Sequence, residues 1–267
     1  MPLRAIVFDL WGTLLTERRA VFPERAQMRF DGVAAILRRH GIDPTIEEFT
    51  ERHRESMAAL SALQEEGRDV TAEERGRHVI ERFDPALPDR VPEGDIDAFI
   101  EAYGGPIVQT PPELLPGALE VIEEARARGF AVGLISNTGV SGGRHLRPVL
   151  EAHGLLEHFD VLLFSDELRQ SKPHPGIFEA ALEALGATAD EAVFVGDTPR
   201  YDVGPPRLYG WWVVQVGDRD DGDPPAHVRV PGVGDLFPAL DSLGLLDDGS
   251  GDPPDSPGAP AASVGEN

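Results

Sequence analysis

Cysteine is absent from the 267 residues. That removes disulfides, thiolate nucleophiles and cysteine metal sites from consideration. Lysine is almost absent: of the 24 basic residues, all but Lys172 are arginine. No uncharged apolar run approaches the roughly 18 residues that a membrane span needs. The apolar N-terminal stretch is interrupted by Asp9, where a signal peptide would have its greasy centre, so cytoplasmic residence without a membrane partner is expected. Positive charge is scarce too. With 47 acidic residues against 24 basic ones the formal charge is −23, a field that repels nucleic acid and anionic lipid. Nucleic acid is therefore excluded as a partner, and an anionic substrate would need a local cation. The eight histidines show no ligand spacing on a common helix face, so no zinc site is expected. Among them, His53 is expected with Arg54 on a solvated helix face.

What is present is a change of rhythm along the chain. Ala5–Phe8 is a short apolar run ending at Asp9 and followed by Gly12-Thr13, the pattern of a buried parallel strand entering a turn. From about Pro23 to Gly104 the periods are helical. Ala26–His40 stops at Gly41, Asp43-Pro44-Thr45 opens a second helix, and Thr71 to Glu74 reads as a capping box for a third. Glu93–Tyr103 makes a fourth, and no strand candidate interrupts them. After Pro116-Gly117 strands and helices alternate, with strands expected at Phe130–Ser136, Val161–Phe164, Ala192–Val195 and Trp211–Val216. Short joins between such elements imply parallel crossovers and an α/β sheet with helices on its faces. From Asp247 to Asn267 the sequence is Gly, Pro, Ser, Ala and acids, expected to be a disordered tail. No signal for an oligomeric state is present.

In an open parallel sheet, ligands bind beyond the C-terminal ends of the strands. Asp9, Ser136-Asn137 and Asp197 follow the first, second and fourth strands of the expected sheet, and Lys172 sits on the loop after the third. Such a set suits group transfer. A carboxylate can attack an electrophile and form a covalent intermediate, while the Ser136 hydroxyl and nearby N–H groups bind phosphate oxygens, with Asn137 and Trp11 as further substrate-binding candidates. Lys172, as a compact point charge, can neutralise both nucleophile and transferred group. Asp197 and Asp202 offer hard oxygen ligands which, together with Asp9, suit an octahedral Mg²⁺.

In order and spacing, from about Leu3 to Leu243, these residues resemble the haloacid-dehalogenase-like (HAD) superfamily. Asp9-Leu10-Trp11-Gly12-Thr13-Leu14 is similar to its first motif, Ser136 to its second, Lys172 to its third, and Gly196-Asp197 with Asp202 to its fourth. The resemblance implies a Rossmann-like core formed by residues 1–16 and 106–246, with a helical cap at 17–105. It further implies Asp9 as nucleophile, Thr13 and Ser136 positioning the transferred group, Lys172 stabilising charge, and Asp9, Asp197, Asp202 and the Trp11 carbonyl holding Mg²⁺.

One departure changes the expected chemistry. Phosphatases of this family usually carry a second Asp two residues after the nucleophile, as the acid and base; here that position is Trp11. Loss of a general acid–base costs roughly 10²–10⁴-fold in rate, most for poor leaving groups. Three readings stand: an Mg²⁺-dependent phosphohydrolase acting on a small phosphorylated metabolite with a good leaving group, a 2-haloacid dehalogenase, or a non-catalytic binding protein. Dehalogenases carry an aromatic residue at the position of Trp11, because halide leaves without a proton. Their fourth motif, however, lacks the metal-binding form seen at Asp197 and Asp202. A phosphonate-cleaving relative is excluded, since its cap needs a lysine and none lies there.

Overall fold

The computed structural model describes residues 3–220 and 222–246, so the expected tail at 247–267 lies outside the described residues. β1 (Ala5–Phe8) is buried along its whole length. After a turn the chain forms β2 (Leu15–Thr16) and then four helices, α1 (Phe22–Arg39), α2 (Ile46–Glu65), α3 (Ala72–Glu81) and α4 (Glu93–Gly104). A short α5 (Pro106–Gln109) leads to β3 (Glu113–Leu114), which pairs antiparallel with β2 through Leu15–Leu114 and Thr16–Glu113. The helical segment thus leaves and returns at one place.

Alternation takes over from there: α6 (Ala118–Ala127), β4 (Ala131–Ser136), α7 (Gly143–Ala152), β5 (Val161–Phe164), α8 (Ser165–Leu168), α9 (Pro175–Leu185), β6 (Ala192–Gly196), α10 (Gly204–Leu208), β7 (Trp212–Val216), β8 (Val228–Val230) and α11 (Leu236–Ser242). Six strands form one parallel sheet in the order β5-β4-β1-β6-β7-β8. The chain first builds to one side of β1 and then crosses to the other. The switch point therefore falls between β1 and β6, where open sheets bind their ligands. Among the described residues, no helix is long and apolar enough to cross a membrane.

Residues alternate between the two faces, as a strand's period of two requires. Ile6, Phe8, Leu134 and Val195 join one core with Ile122 of α6 and Leu146 of α7. Ala5, Val7, Ile135 and Phe194 join the other with Phe178 of α9 and Trp211. A third apolar cluster is built by the helical segment on Val33, Leu37, Phe49, Ile80 and Phe99, with Val140 from the loop after β4 packed against it. Thr45 and Thr71 each close a capping box, with Glu48 and Glu74 respectively. These boxes satisfy N–H groups that helix starts leave unpaired. α1 begins four residues before the expected Ala26, because Pro23 is tolerated in a first helical turn.

His53 departs from its expected place. Arg54 is exposed, but His53 turns inward and shares a 2.6 Å hydrogen bond between Nδ1 and the Tyr103 hydroxyl. Burial, helped by Arg29, pushes His53 down to about 4, and burial pushes Tyr103 up to about 12, so the bond joins a neutral ring to a neutral phenol.

A buried polar network, unforeseen in the sequence, ties the helical segment to the sheet. Arg75 Nη2 lies 3.0 Å from Asp69 Oδ1 and donates to Thr138 Oγ1 at 3.2 Å. Gln64 Nε2 donates to Asp69 Oδ2 at 2.9 Å and to the Thr138 carbonyl at 2.7 Å. Ser165, at the head of α8, donates to Asp69 Oδ2 as well. Removing one partner of a buried ion pair strands the other. Arg75→Met is expected to cost about 3–5 kcal/mol of unfolding free energy, measured by urea denaturation; an unchanged midpoint would show that the contact is dispensable.

Candidate active site

Asp9 emerges from β1 onto the C-terminal rim of the sheet, its backbone N–H donating to the Val195 carbonyl of β6 at 2.9 Å. Gly12 makes the following turn possible. It has φ +84°, and a Cβ there would lie 2.4 Å from Asp197 Oδ2, so only glycine lets the first loop pass beside the fourth. Gly196 is constrained in the same way, since its Cβ would meet that of Asp202 at 2.4 Å. Asp202 itself sits in a wide π-helical turn, Pro199–Val203, and its Oδ2 accepts from the Thr198 N–H at 2.9 Å.

Lys172 is the centre of the cluster. Its Nζ lies 2.6 Å from Asp9 Oδ1 and 2.7 Å from Asp202 Oδ1, and it donates to the Ile135 carbonyl at 3.2 Å. All three ammonium protons therefore have acceptors, with only 2% of the lysine exposed. Burial alone would favour neutral lysine, but the carboxylates of Asp202 and Asp9 outweigh it and hold the pKa above the ordinary value. Thr13 Oγ1 donates to the other Asp9 oxygen, Oδ2, at 3.2 Å. Burial and the Asp202 charge push Asp9 up to about 7 against the opposing pull of Lys172. Burial, with Asp202, raises Asp197 as well.

Asp9, Asp197 and Asp202 can each offer a carboxylate oxygen, with these atoms within 4.8 Å of one another. The buried Lys172 ammonium and the exposed Arg219 guanidinium face three carboxylates, so the cluster keeps a surplus of negative charge. A hard divalent cation with oxygen ligands fits that donor set, and it would relieve the repulsion behind the raised carboxylates.

The remaining expected site residues fall around this centre. Ser136 is buried at the end of β4, where its hydroxyl reaches the Asn137 carbonyl at 3.4 Å. Asn137, expected among the substrate-binding residues, has both ends of its amide committed to the Lys172 backbone. Nδ2 donates to the carbonyl at 2.9 Å and Oδ1 accepts from the N–H at 2.8 Å. That makes it a positioning residue for the lysine. Trp11 is half-buried and lines a cavity of about 610 Å³ together with Asn137, Thr138 and residues of α1. His174 caps α9 by accepting from the Gly176 N–H, and takes no part in the cluster.

Sequence reasoning missed Arg219, which lies 3.0 Å from Asp197 Oδ2 and donates to Thr198 Oγ1 at 3.1 Å. Its one signal was an arginine in an acidic loop just beyond β7. It also missed Arg25, buried between both carboxylate oxygens of Glu17 and the Thr110 hydroxyl.

Several known proteins are similar to this chain. A phosphoserine phosphatase of Thermus thermophilus is 37% identical over 127 residues, covering 46% of this chain and 50% of that protein. The chain thus spans about half the length of this curated relative. Among solved structures, a HAD phosphatase from Thermococcus onnurineus superposes with TM-score 0.61 at 23% identity, over 91% of this chain and 99% of the other. A 2-haloacid dehalogenase from Pseudomonas syringae superposes with TM-score 0.64 at 19% identity, over 90% of this chain and 99% of the other. At those identities the likeness is one of fold. The haloacid dehalogenase-like hydrolase model matches residues 3–207, and the chain belongs to that family of hydrolases.

Proposed function

We propose that the protein is an Mg²⁺-dependent phosphohydrolase working through an aspartyl-phosphate on Asp9, with residues 17–105 as a cap over a core of residues 1–16 and 106–246. The observation that carries this reading is the buried meeting of Asp9, Asp197 and Asp202 around Lys172. Asp9, Asp197 and Asp202, with the Trp11 carbonyl that family resemblance adds, would hold Mg²⁺, which supplies Lewis-acid neutralisation of charge on the transferred group.

The chain's own residues account for the remaining steps. An Asp9 carboxylate oxygen forms the bond to phosphorus as the bond to the leaving group breaks, and the leaving group departs with the electron pair. Thr13 and Lys172 orient the two Asp9 oxygens, and Lys172 offsets the charge of the incoming anion. Ser136 and neighbouring N–H groups would donate to the phosphoryl oxygens, the role that the family resemblance gives this serine. Hydrolysis then takes one water, returning the Asp9 carboxylate and releasing phosphate and a proton to solvent.

No proton donor stands at the position of Trp11. Glu17, the carboxylate on the cavity wall, is committed to Arg25. The leaving group must therefore depart without help, which favours acyl, enol or aryl phosphates over simple alkyl phosphates. Trp11 also supports a second reading, a 2-haloacid dehalogenase, whose halide needs no proton. The carboxylate cluster favours the first reading, because a metal-independent dehalogenase has no use for it.

Mg²⁺-dependent hydrolysis of p-nitrophenyl phosphate and acetyl phosphate tests the proposal. Chelator should abolish it, and Asp9→Asn should lower it by at least roughly 10³-fold. Chelator-insensitive halide release from 2-haloacids, without phosphate release, would establish the alternative. Trp11→Asp should raise turnover of alkyl phosphates by roughly 10²-fold or more while changing acetyl phosphate little. Equal effects on both substrates would mean that Trp11 does not stand in for the missing acid.

A further inference from the structure

Every carboxylate oxygen in the cluster already has a partner, and one of those partners is unlike the rest. Lys172 holds Oδ1 of both Asp9 and Asp202, Thr13 holds Asp9 Oδ2, and the Thr198 N–H holds Asp202 Oδ2. The Thr198 hydroxyl donates to Asp197 Oδ1 at 2.9 Å. The last oxygen, Asp197 Oδ2, belongs to Arg219, whose Nη2 lies 3.0 Å away. Lys172 and Thr13 are buried, whereas the Arg219 side chain is 57% exposed. Its guanidinium is therefore the one cation of the cluster that can leave for water instead of being stranded below the surface.

The backbone beneath that guanidinium is held. Arg219 stands on the loop beyond β7, and the buried Gln215 of that strand donates from Nε2 to two of its carbonyls. The distances are 3.1 Å to Arg219 itself and 3.2 Å to Asp220. A fixed base thus carries a long side chain whose tip lies in solvent, free to swing. In the arrangement seen, the tip also donates from Nη1 to Thr198 Oγ1 at 3.1 Å. Burial and Asp202 push the Asp197 pKa up, while the Thr198 hydrogen bond, Arg219 and Lys172 oppose them. Arg219 therefore helps keep Asp197 ionised when no metal is bound. A divalent cation on Asp197 would do the same more strongly, and two cations on one carboxylate repel each other.

We propose that Arg219 is a displaceable counter-ion for Asp197, which a divalent cation pushes aside on binding and which returns when the cation leaves. Arg219 then sets the metal affinity from a loop outside the ligand set, as a positioning residue for the site. Asp197 is never left unbalanced, whether or not the metal is present. This rests on the reading that Asp9, Asp197 and Asp202 hold Mg²⁺.

The test measures metal binding directly, so it does not depend on turnover. Calorimetry would titrate Mg²⁺ into chelator-treated wild type, Arg219→Gln and Arg219→Lys. Arg219→Gln should bind Mg²⁺ roughly 3–10-fold tighter than wild type, and Arg219→Lys, which keeps a cation there, should lie between them. Arg128→Gln, the same loss of charge just after α6 and at the opposite end of the strands, should stay within about 1.5-fold of wild type. Thermal unfolding supplies the second readout. Arg219→Gln should melt below wild type in chelator, and the gap should close in saturating Mg²⁺. A residue that merely braced the loop would leave the same gap under both conditions. Unchanged or weaker Mg²⁺ binding by Arg219→Gln, or a gap that persists in Mg²⁺, would overturn the assignment and leave the phosphohydrolase reading standing. A wild type that binds neither Mg²⁺ nor Mn²⁺ would sink both together. Tighter binding by Arg219→Gln in a protein that releases no phosphate from any substrate would keep the counter-ion and sink the phosphohydrolase alone.

Discussion

Like charges crowded below a protein surface must be balanced or they will not stay ionised. Here one buried ammonium balances two of the carboxylates, while Arg219 pairs with the third from the surface. Lys172 joins Asp9 at the end of β1 to Asp202 in the turn after β6, and its third proton goes to the Ile135 carbonyl of β4. Three neighbouring strands of the sheet are thereby held at their C-terminal ends by a single side chain. Asn137 grips the backbone of that lysine from both sides. The glycines at positions 12 and 196 let the loops approach closely enough for the arrangement to exist. Arginine could not replace it: a planar fork does not fit between two carboxylates and a carbonyl as a rotating point charge does. In a chain otherwise built on arginine, that geometry explains why lysine persists here.

Much of the fold was legible in the sequence because its signals are local. Continuous apolar runs at β1 and β6 announce strands covered on both faces, and Thr71 with Glu74 announces a helix start. The elements that escaped are those too short to show a period. β2, β3 and β8 have two, two and three residues, and nothing in such a fragment separates strand from loop.

The site divides along the same line. Asp9, Lys172, Asp197 and Asp202 could be found because each follows an element that could be recognised, and the sheet topology does the rest. The Asp69–Arg75–Thr138 network could not be found, because its members lie far apart in sequence with no motif to link them. His53 misled for a related reason. Its sequence neighbours Arg52 and Arg54 are charged, yet its ring stacks on the buried Phe49 one turn earlier and meets Tyr103 arriving from α4.

The two-residue pairing of β2 with β3 has a consequence for how such a molecule can change over time. The entropy of closing a loop grows only with the logarithm of its length. Once Leu15 and Leu114 are hydrogen-bonded neighbours, the sheet is almost indifferent to how many residues lie between them. Helices can be lengthened, replaced or lost in that interval while the strands below keep their register. A fold with its reacting groups on fixed strands and its variable matter on one closed stem can explore new molecules to act on without relearning how to fold.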